Sequence, residues 1–552
     1  MTIPAPHDWW RTAVIYQVYP RSFADATGDG IGDLPGITSR LDHIASLGAD
    51  AVWLSPFYRS PQRYAGYDVS DYCDVDPVFG TLEDFDALLA RAHGLGLNLI
   101  IDIVPNHSSS DHEWFQEALA AGAGSAERAR YIFREGRGVD GSEPPNNWES
   151  VFGGPAWTRV TDPDGTPGEW YLHLFDSSQP DFDWSNPWVD AQFQEVLRFW
   201  LDRGVDGFRI DVAHGLVKAD GLPDWPPAAP EGQDGIVHVG TATGTAAPMW
   251  GQEGLHDIWR RWRSLVAEYG EDRVLVAEAW VEPLSHMAKW VRPDELHQAF
   301  NFPFLVAPWD ADAVRSVIDE SLAAFGAVGA PATWVLSNHD TIRHTTRLAL
   351  AEPIAHGTGI GPATLGRPDP ELAIRRARAA TLLMLALPGS AYVYQGEELG
   401  LPEVINLPDA ARQDPTFRRT GGEKYGRDGC RVPLPWEPDA PAYGFSPSGA
   451  SWLPQPEGWG ALAVAAQQGR SDSTLELYRT ALRLRRAHGL GGASLQWLEA
   501  PPGVARCVVG DVEVVTNFAG EPIEVSGRIP LLSSLAWDGL LGTDMTAWLV
   551  AQ

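Results

Sequence analysis

The sequence predicts an α/β protein: a (β/α)8 TIM barrel with a small domain inserted after its third strand and an antiparallel β domain at its C-terminus. Three observations carry this. Eight short runs rich in Val, Ile and Phe recur along the chain, at Val14 to Tyr19, Ala51 to Ser55, Leu97 to Val104, Val205 to Val212, Arg273 to Ala279, Ala299 to Phe304, Thr333 to Ser337 and Ala391 to Gln395. Between them lie stretches such as GITSRLDHIASLG, TLEDFDALLARAHGLG and AQFQEVLRFWLDRG, which repeat apolar residues every three to four positions and stop at glycine, as amphipathic helices do. Strand and helix in alternation imply parallel strands joined by crossover helices, and eight such units suffice to close a barrel. Third, polar residues collect where these runs end, and the carboxyl ends of barrel strands are where reactive side chains gather.

Two regions interrupt the alternation. Residues 107–180 are dense in Trp, Gly, Pro and Asn, as in PPNNWESVFGGPAWTRV, and are too long for a barrel loop, which predicts an inserted domain. From residue 490 the pattern changes to short alternating runs, ARCVVGDVEVVTNFAG and EPIEVSGRIPLL, separated by turn residues. The expected organisation is therefore barrel over 1–106, insert over 107–180, barrel again over 181–489 and β domain over 490–552.

Composition narrows the function. Of 552 residues, 41 are Lys or Arg and 73 Asp or Glu, a net charge of −32 that repels nucleic-acid phosphates and anionic lipid, so neither nucleic acid nor membrane is an expected partner. Cys73, Cys430 and Cys507 are widely spaced and make neither a disulfide framework nor a thiolate metal site. The N-terminus, MTIPAPHDWWRTAVIYQVYP, lacks the basic, apolar and small-residue segments of a secretion signal, and no apolar run approaches the roughly 20 residues of a spanning helix. These features lead us to expect a cytoplasmic protein, monomeric or homodimeric.

The strand ends hold the chemistry. The third ends DIVPNH, bringing Asp102, Asn106 and His107 together; the fourth ends GFRID, where alternation puts Arg209 and Asp211 on one face; the fifth ends at Glu278 in VLVAEAW; and the seventh ends SNHD, with His339 and Asp340. One Asp after a strand is ordinarily a cap or a turn residue. Four such endings on one rim suggest a site. Paired carboxyl groups without a thiol, serine or metal are the equipment of glycoside hydrolysis, one attacking and the other donating a proton. Arg209 is expected to keep Asp211 ionised with a low pKa, whereas Glu278, with no adjacent cation in sequence, is free to be the acid.

The strings DIVPNH, GFRIDVAH, AEAW and SNHD, with QPDFDW, YQGEELG and GRDGCRVPLPW, resemble the ordered motif set of glycoside hydrolase family 13, the α-amylase family, and most closely its α-glucosidase and oligo-1,6-glucosidase branch. The resemblance runs over essentially the whole chain. It implies Asp211 as nucleophile, Glu278 as general acid/base and Asp340 as the third carboxylate, acting on a small carbohydrate. It further implies that His107, Arg209, His339, Tyr67 and Arg427 line the subsite for the glucosyl ring, with Phe152 and Phe175 as walls. Transglucosylation on the same scaffold stays open, because it depends on whether water or a sugar alcohol intercepts the intermediate. A non-catalytic transporter-subunit barrel would need a membrane anchor and no intact carboxylate trio, the reverse of what the sequence offers.

In DATGDGIGD, carboxylates alternate around glycines, as in loops that wrap a hard cation; the same pattern suits a Gly-rich acidic turn. Relatives in the branch carry Ca2+ or Mg2+ here, and by that analogy Asp25, Thr27, Asp29, the Ile31 carbonyl and Asp33 are structural ligands, with no cofactor expected in catalysis. The chain also departs from the branch. Tyr64, in SPQRYAGYD, occupies the place of an Asp that pairs with the late arginine, so another acid, a water cluster or a substrate anion is expected to face Arg427. This departure admits a modified α-glycoside as substrate. Pro303 in FNFPF stands where an acid is expected and reshapes the sixth βα loop. His214 either borders the site or caps the fourth strand.

Overall fold

The computed structural model describes residues 6–225, 247–525, 527–537 and 539–551. Its centre is an eight-stranded parallel sheet, β1 (Val14–Val18), β2 (Ala51–Leu54), β3 (Asn98–Ile103), β4 (Gly207–Ile210), β5 (Val274–Ala277), β6 (Gln298–Ala299), β7 (Thr333–Val335) and β8 (Ser390–Tyr394). The strands pair in the order β6-β5-β4-β3-β2-β1-β8-β7, so the first strand lies against the eighth and the sheet curls into a near-closed barrel. Period-2 alternation divides each strand between two cores. Ile15, Trp53, Ile100, Val274, Val276 and Tyr392 fill the interior, while Val14, Tyr16, Leu275 and Ala277 face the surrounding helices.

The helices start and stop where their sequences say. Leu34–Leu47 is capped by the Asp33 carboxylate and ends at Gly48 (φ 94°); Leu82–Gly94 opens with a Thr81/Asp84 capping box; Pro187–Arg203 is capped by Asn186 and ends at Gly204 (φ 103°). Most strands are shorter than their apolar runs, the sixth most of all, with only Gln298–Ala299 in strand. Residues 302–306 of the sixth run form a helix, because the Asn301 side chain accepts from the Phe304 N–H and Pro303 supplies a fixed φ in the first turn.

Within residues 107–180, strands Phe133–Arg134, Pro167–Leu172 and Trp157–Thr161 make a small antiparallel sheet, tied to the barrel by a His107↔Asp181 bridge. The chain ends in a five-stranded antiparallel sheet whose strand Met545–Ala551 lies on helix Pro370–Ala386; there the Trp548 indole donates to the Leu382 carbonyl at 3.0 Å. The free cysteines Cys430 and Cys507 are buried and Cys73 is half-buried. Among the described residues no helix is long and apolar enough to cross a membrane.

The segment after β8 binds the barrel to its helices. Glu398 accepts from Tyr16 Oη at 2.8 Å and from the Gly396 N–H, with His43 Nε2 at 3.0 Å; Glu397 accepts from the Tyr394 N–H and from Tyr478 Oη at 3.1 Å. Burial pushes the Glu397 carboxyl up to about 8, so its neutral form belongs to the folded state. Its contribution to stability is complete below the ordinary carboxyl range and is lost as pH rises through that raised value. The Tm of the native protein relative to Glu397→Gln is therefore expected to fall between about pH 4.5 and about pH 9, as read by calorimetry of both proteins across that range. A constant difference would mean the carboxyl is ionised throughout.

Candidate active site

Arg209 is the one cation on the inward face of β4, seated over the Trp53 ring at 5.2 Å. Its Nη1 donates to Asp102 at 2.8 Å and to Asp211 at 2.5 Å, and its Nη2 lies 3.7 Å from Glu278. β3, β4 and β5 are neighbours in the sheet, with Asp102 in register with Arg209 and Ala277 with Ile210. Three acids from adjacent strands thus surround one guanidinium. Burial raises all three carboxyls, Asp102 to about 6, with Arg209 opposing the rise in each. The expectation that Arg209 keeps the Asp211 carboxyl low is therefore corrected: burial lifts it well above the usual range, because the guanidinium is shared and one positive charge does not neutralise three negatives. Glu278 lacks the direct bond to Nη1 that the two aspartates have. Glu278 instead accepts from the Val212 N–H at 2.7 Å.

Asp340, a quarter exposed, reaches into the same space. Burial would raise it, but Arg427 at 3.1 Å and Arg431 at 2.6 Å hold its carboxyl well below the usual range. His339 is stacked on Tyr67 (centroids 5.4 Å) and bonded to Tyr67 Oη at 2.6 Å and Gln17 at 2.7 Å. Burial lowers His339 to about 3 and His107 to about 4, so both are neutral near pH 7. His107 lies against Gln179 at 3.0 Å and the Phe175 ring at 5.2 Å.

Arg427 has the acid that sequence reasoning left unassigned. Its Nε donates to Asp414 at 2.7 Å, and its guanidinium lies 4.9 Å above the Tyr64 ring, which is buried and in turn contacts Phe152 at 4.9 Å. Tyr64 therefore meets the arginine through its π face, where the branch has a carboxylate. Asp414 escapes notice in the string QDPTF because it also caps the helix Pro415–Arg419, accepting from the Thr416 N–H at 2.8 Å.

These groups line a cavity of about 180 Å³. Tyr64, Tyr67, His107, Phe152, Phe175, Asp211, Glu278, Asp340 and Arg427 all face it; Arg209 and His339 stand behind, touching the acids and not the space itself. His214 borders the cavity, its ring tilted against Trp250 with centroids 4.8 Å apart. Sequence reasoning missed Trp250, Trp280, His356 and Lys424, which come from loops without periodicity; only Trp280, two residues after Glu278, carried a positional signal.

The 25–33 loop lies apart from this cavity. Asp25 accepts from the Thr27 hydroxyl and the Gly28 and Gly30 N–H groups, Asp29 from the Ile31 N–H, and Asp33 from Ala26, Thr27 and Gly36 N–H groups. The loop so closes on its own hydrogen bonds. Carboxylate oxygens here retain acceptor sites for a cation, in Asp29 above all, yet the described residues hold no cage of three or more His, Cys, Asp or Glu.

The model of the alpha-amylase catalytic domain matches residues 17–490. A "Probable alpha-glucosidase" of Rhizobium meliloti (strain 1021) is 40% identical over 510 residues, 89% of this chain and 85% of its own. An "Oligo-1,6-glucosidase" of Parageobacillus thermoglucosidasius is 32% identical over 550 residues, 93% of this chain and 90% of its own. Among solved structures, an alpha-glucosyl transfer enzyme superposes with a TM-score of 0.83 at 35% identity over 99% of both chains, and a trehalulose synthase from Pseudomonas mesoacidophila MX-45 with 0.82 at 29% over 100% of both.

Replacing Asp414 by Ala leaves Arg427 buried with Asp340 as its remaining acid, and removing one partner of a buried pair costs about 3 kcal/mol or more. Chemical denaturation of the Asp414→Ala protein is expected to show that loss, and an unchanged midpoint would mean solvent already satisfies the arginine.

Proposed function

The chain belongs to the alpha-amylase family, glycoside hydrolase family 13, and from that membership we propose that it is a retaining, exo-acting α-glucosidase which cleaves short α-glucosides and oligosaccharides through a covalent glycosyl–Asp211 intermediate. The observation that supports retention is register. Ala277 pairs with Ile210, so Glu278 and Asp211 follow at one level on adjacent strands. Such strands run about 4.8 Å apart, close to the roughly 5–5.5 Å between carboxyls that double displacement needs and short of the roughly 6.5–9.5 Å of inversion.

In the first step the Asp211 oxygen bonds to the anomeric carbon as the glycosidic C–O bond breaks, and Glu278 passes its proton to the departing oxygen, releasing an alcohol. In the second, Glu278 takes a proton from water, whose oxygen bonds to the anomeric carbon and frees Asp211. Asp340, ionised between Arg427 and Arg431, accepts from ring hydroxyls. Tyr64, Phe152 and Arg427 packed together at one side of the cavity support a dead-ended pocket that takes one terminal glucosyl ring. Transfer to an alcohol in place of water would use the same intermediate, and the likeness to an alpha-glucosyl transfer enzyme favours testing it.

Asp211→Asn is expected to lower kcat on p-nitrophenyl α-glucoside by about 10⁴-fold with the fold intact by circular dichroism. With p-nitrophenyl α-glucoside and the native protein, NMR should show α-glucose released first and the β anomer appearing only by mutarotation; β-glucose as first product would exclude double displacement. The proposal extends to a structural Ca2+ or Mg2+ at residues 25–33, supported by the alternation of oxygen donors. EDTA should then lower Tm and added Ca2+ restore it, whereas an indifferent Tm would leave a self-capped turn.

A further inference from the structure

One contact between the C-terminal β domain and the barrel is a buried carboxylate. In the turn GTDM, Asp544 is buried and holds a φ of 57°, a left-handed conformation that Asp and Asn tolerate better than most side chains. Its Oδ1 accepts from the Trp309 indole N–H at 2.7 Å and from Arg376 Nε at 2.9 Å. Trp309 also rests on Phe518 of the same domain, with ring centroids 4.4 Å apart. Arg376, on helix Pro370–Ala386, passes the contact on, because its Nη1 donates to the Leu348 carbonyl at 2.8 Å. A guanidinium is a rigid planar fork, so fixing Nε at Asp544 fixes the direction in which Nη1 points.

Leu348 begins the segment that returns to the catalytic cavity. It ends helix His344–Arg347, shortly after Asp340, and the chain beyond it brings His356, Gly357 and Thr358 to the cavity that Asp211 and Glu278 also line. There the His356 ring lies 5.0 Å from that of Trp280. Packing does little to hold this segment. From Ala351 to Thr358 no residue is buried, and Leu348 and residues 350–357 border a space of about 470 Å³ whose walls also include Trp309 and Arg376. The segment is tied at its two ends, by Arg376 at the Leu348 carbonyl and by the Gly426 N–H, which donates to the Thr358 carbonyl at 3.0 Å. A backbone with solvent and open space beside it depends on such bonds for its position.

We infer that Asp544, a residue of the C-terminal β domain, is a positioning residue for the active site: its carboxylate aims Arg376, which holds Leu348 and with it the segment that carries His356 and Thr358 to the cavity wall. The inference rests on the glycosidase reading and adds a residue that acts from another domain. Without the carboxylate, Arg376, a quarter exposed, turns to water and Leu348 loses its donor. The loss falls on KM more than on kcat, because Asp211 and Glu278 are held by β4 and β5, which this chain of contacts does not reach.

The test is kcat and KM on p-nitrophenyl α-glucoside, well below each protein's Tm, for the native protein, Asp544→Ala, Arg376→Met, the double variant and Asp544→Asn. KM is expected to rise about five-fold in each of the two single variants, the worth of about one hydrogen bond, and no further in the double. Asp544→Asn keeps the accepting oxygen and should restore KM to within about two-fold of native. A lowered Tm with unchanged KM would make Asp544 a stability residue only and overturn the inference, as would additive losses in the double variant. Should Asp544→Ala fail to fold, Arg376→Met decides alone, and a native KM there overturns the inference. A native protein that cleaves no α-glucoside would overturn the glycosidase reading and this inference with it, whereas an active one with indifferent variants would overturn the inference alone.

Discussion

One guanidinium organises this molecule. Arg209 is buried at the top of a barrel interior otherwise filled with Ile, Val, Trp and Phe, where an unpaired charge is very costly. It must have anions, and the sheet supplies them from the neighbouring strand and from its own: Asp102 on β3 and Asp211 at the end of β4. The acids need the arginine in equal measure, since without it two buried aspartates would take up protons. The barrel, whose strands fix neighbours at about 4.8 Å, is what makes this mutual dependence geometrically exact enough to persist. Glu278, 3.7 Å from Arg209, and Tyr67, whose hydroxyl donates to Asp102 at 3.1 Å, sit against this trio, and His339 follows through its bond to Tyr67.

Much of this was legible because the physics acts locally. Strands buried on both faces read as unbroken apolar runs, and helices announced themselves through Asp33, Thr81 and Asn186 caps and through glycines at 48 and 204. FNFPF misled because three aromatics look like a strand, whereas the Asn301 cap and Pro303 decide the backbone. The carboxylates were visible as strand endings. The walls were not: Trp250, Trp280 and His356 sit in loops whose course is set by tertiary contacts, and no spacing rule brings residue 414 beside residue 427.

The Tyr64 substitution shows how such a change is accommodated. Losing a carboxylate beside Arg427 would strand a buried cation. Here Asp414 satisfies Nε and Asp340 satisfies Nη1, while the aromatic face of Tyr64 covers the guanidinium plane. Nη2 is buried without a partner among the described residues. The arginine thus keeps its charge beside an aromatic wall.

On the proposed double displacement, the most exacting demand falls on Glu278, which would be an acid in one half-reaction and a base in the next. A group held firmly in either state would serve only one of them. Burial, and the negative charge of Asp340, favour its protonated form; Arg209 and the Val212 N–H favour the ionised one. The last of these requires an unusual backbone. Val212 is buried and β-branched, yet has a φ of 46°, a conformation that such residues rarely adopt and that costs on the order of 1–3 kcal/mol. The turn it makes immediately after Asp211 aims its N–H at Glu278 and sends the chain back so that the Ala213 N–H meets the Glu278 carbonyl at 2.9 Å. Strain at one residue thereby ties β4 to β5 and adds to the balance of forces on the Glu278 carboxyl.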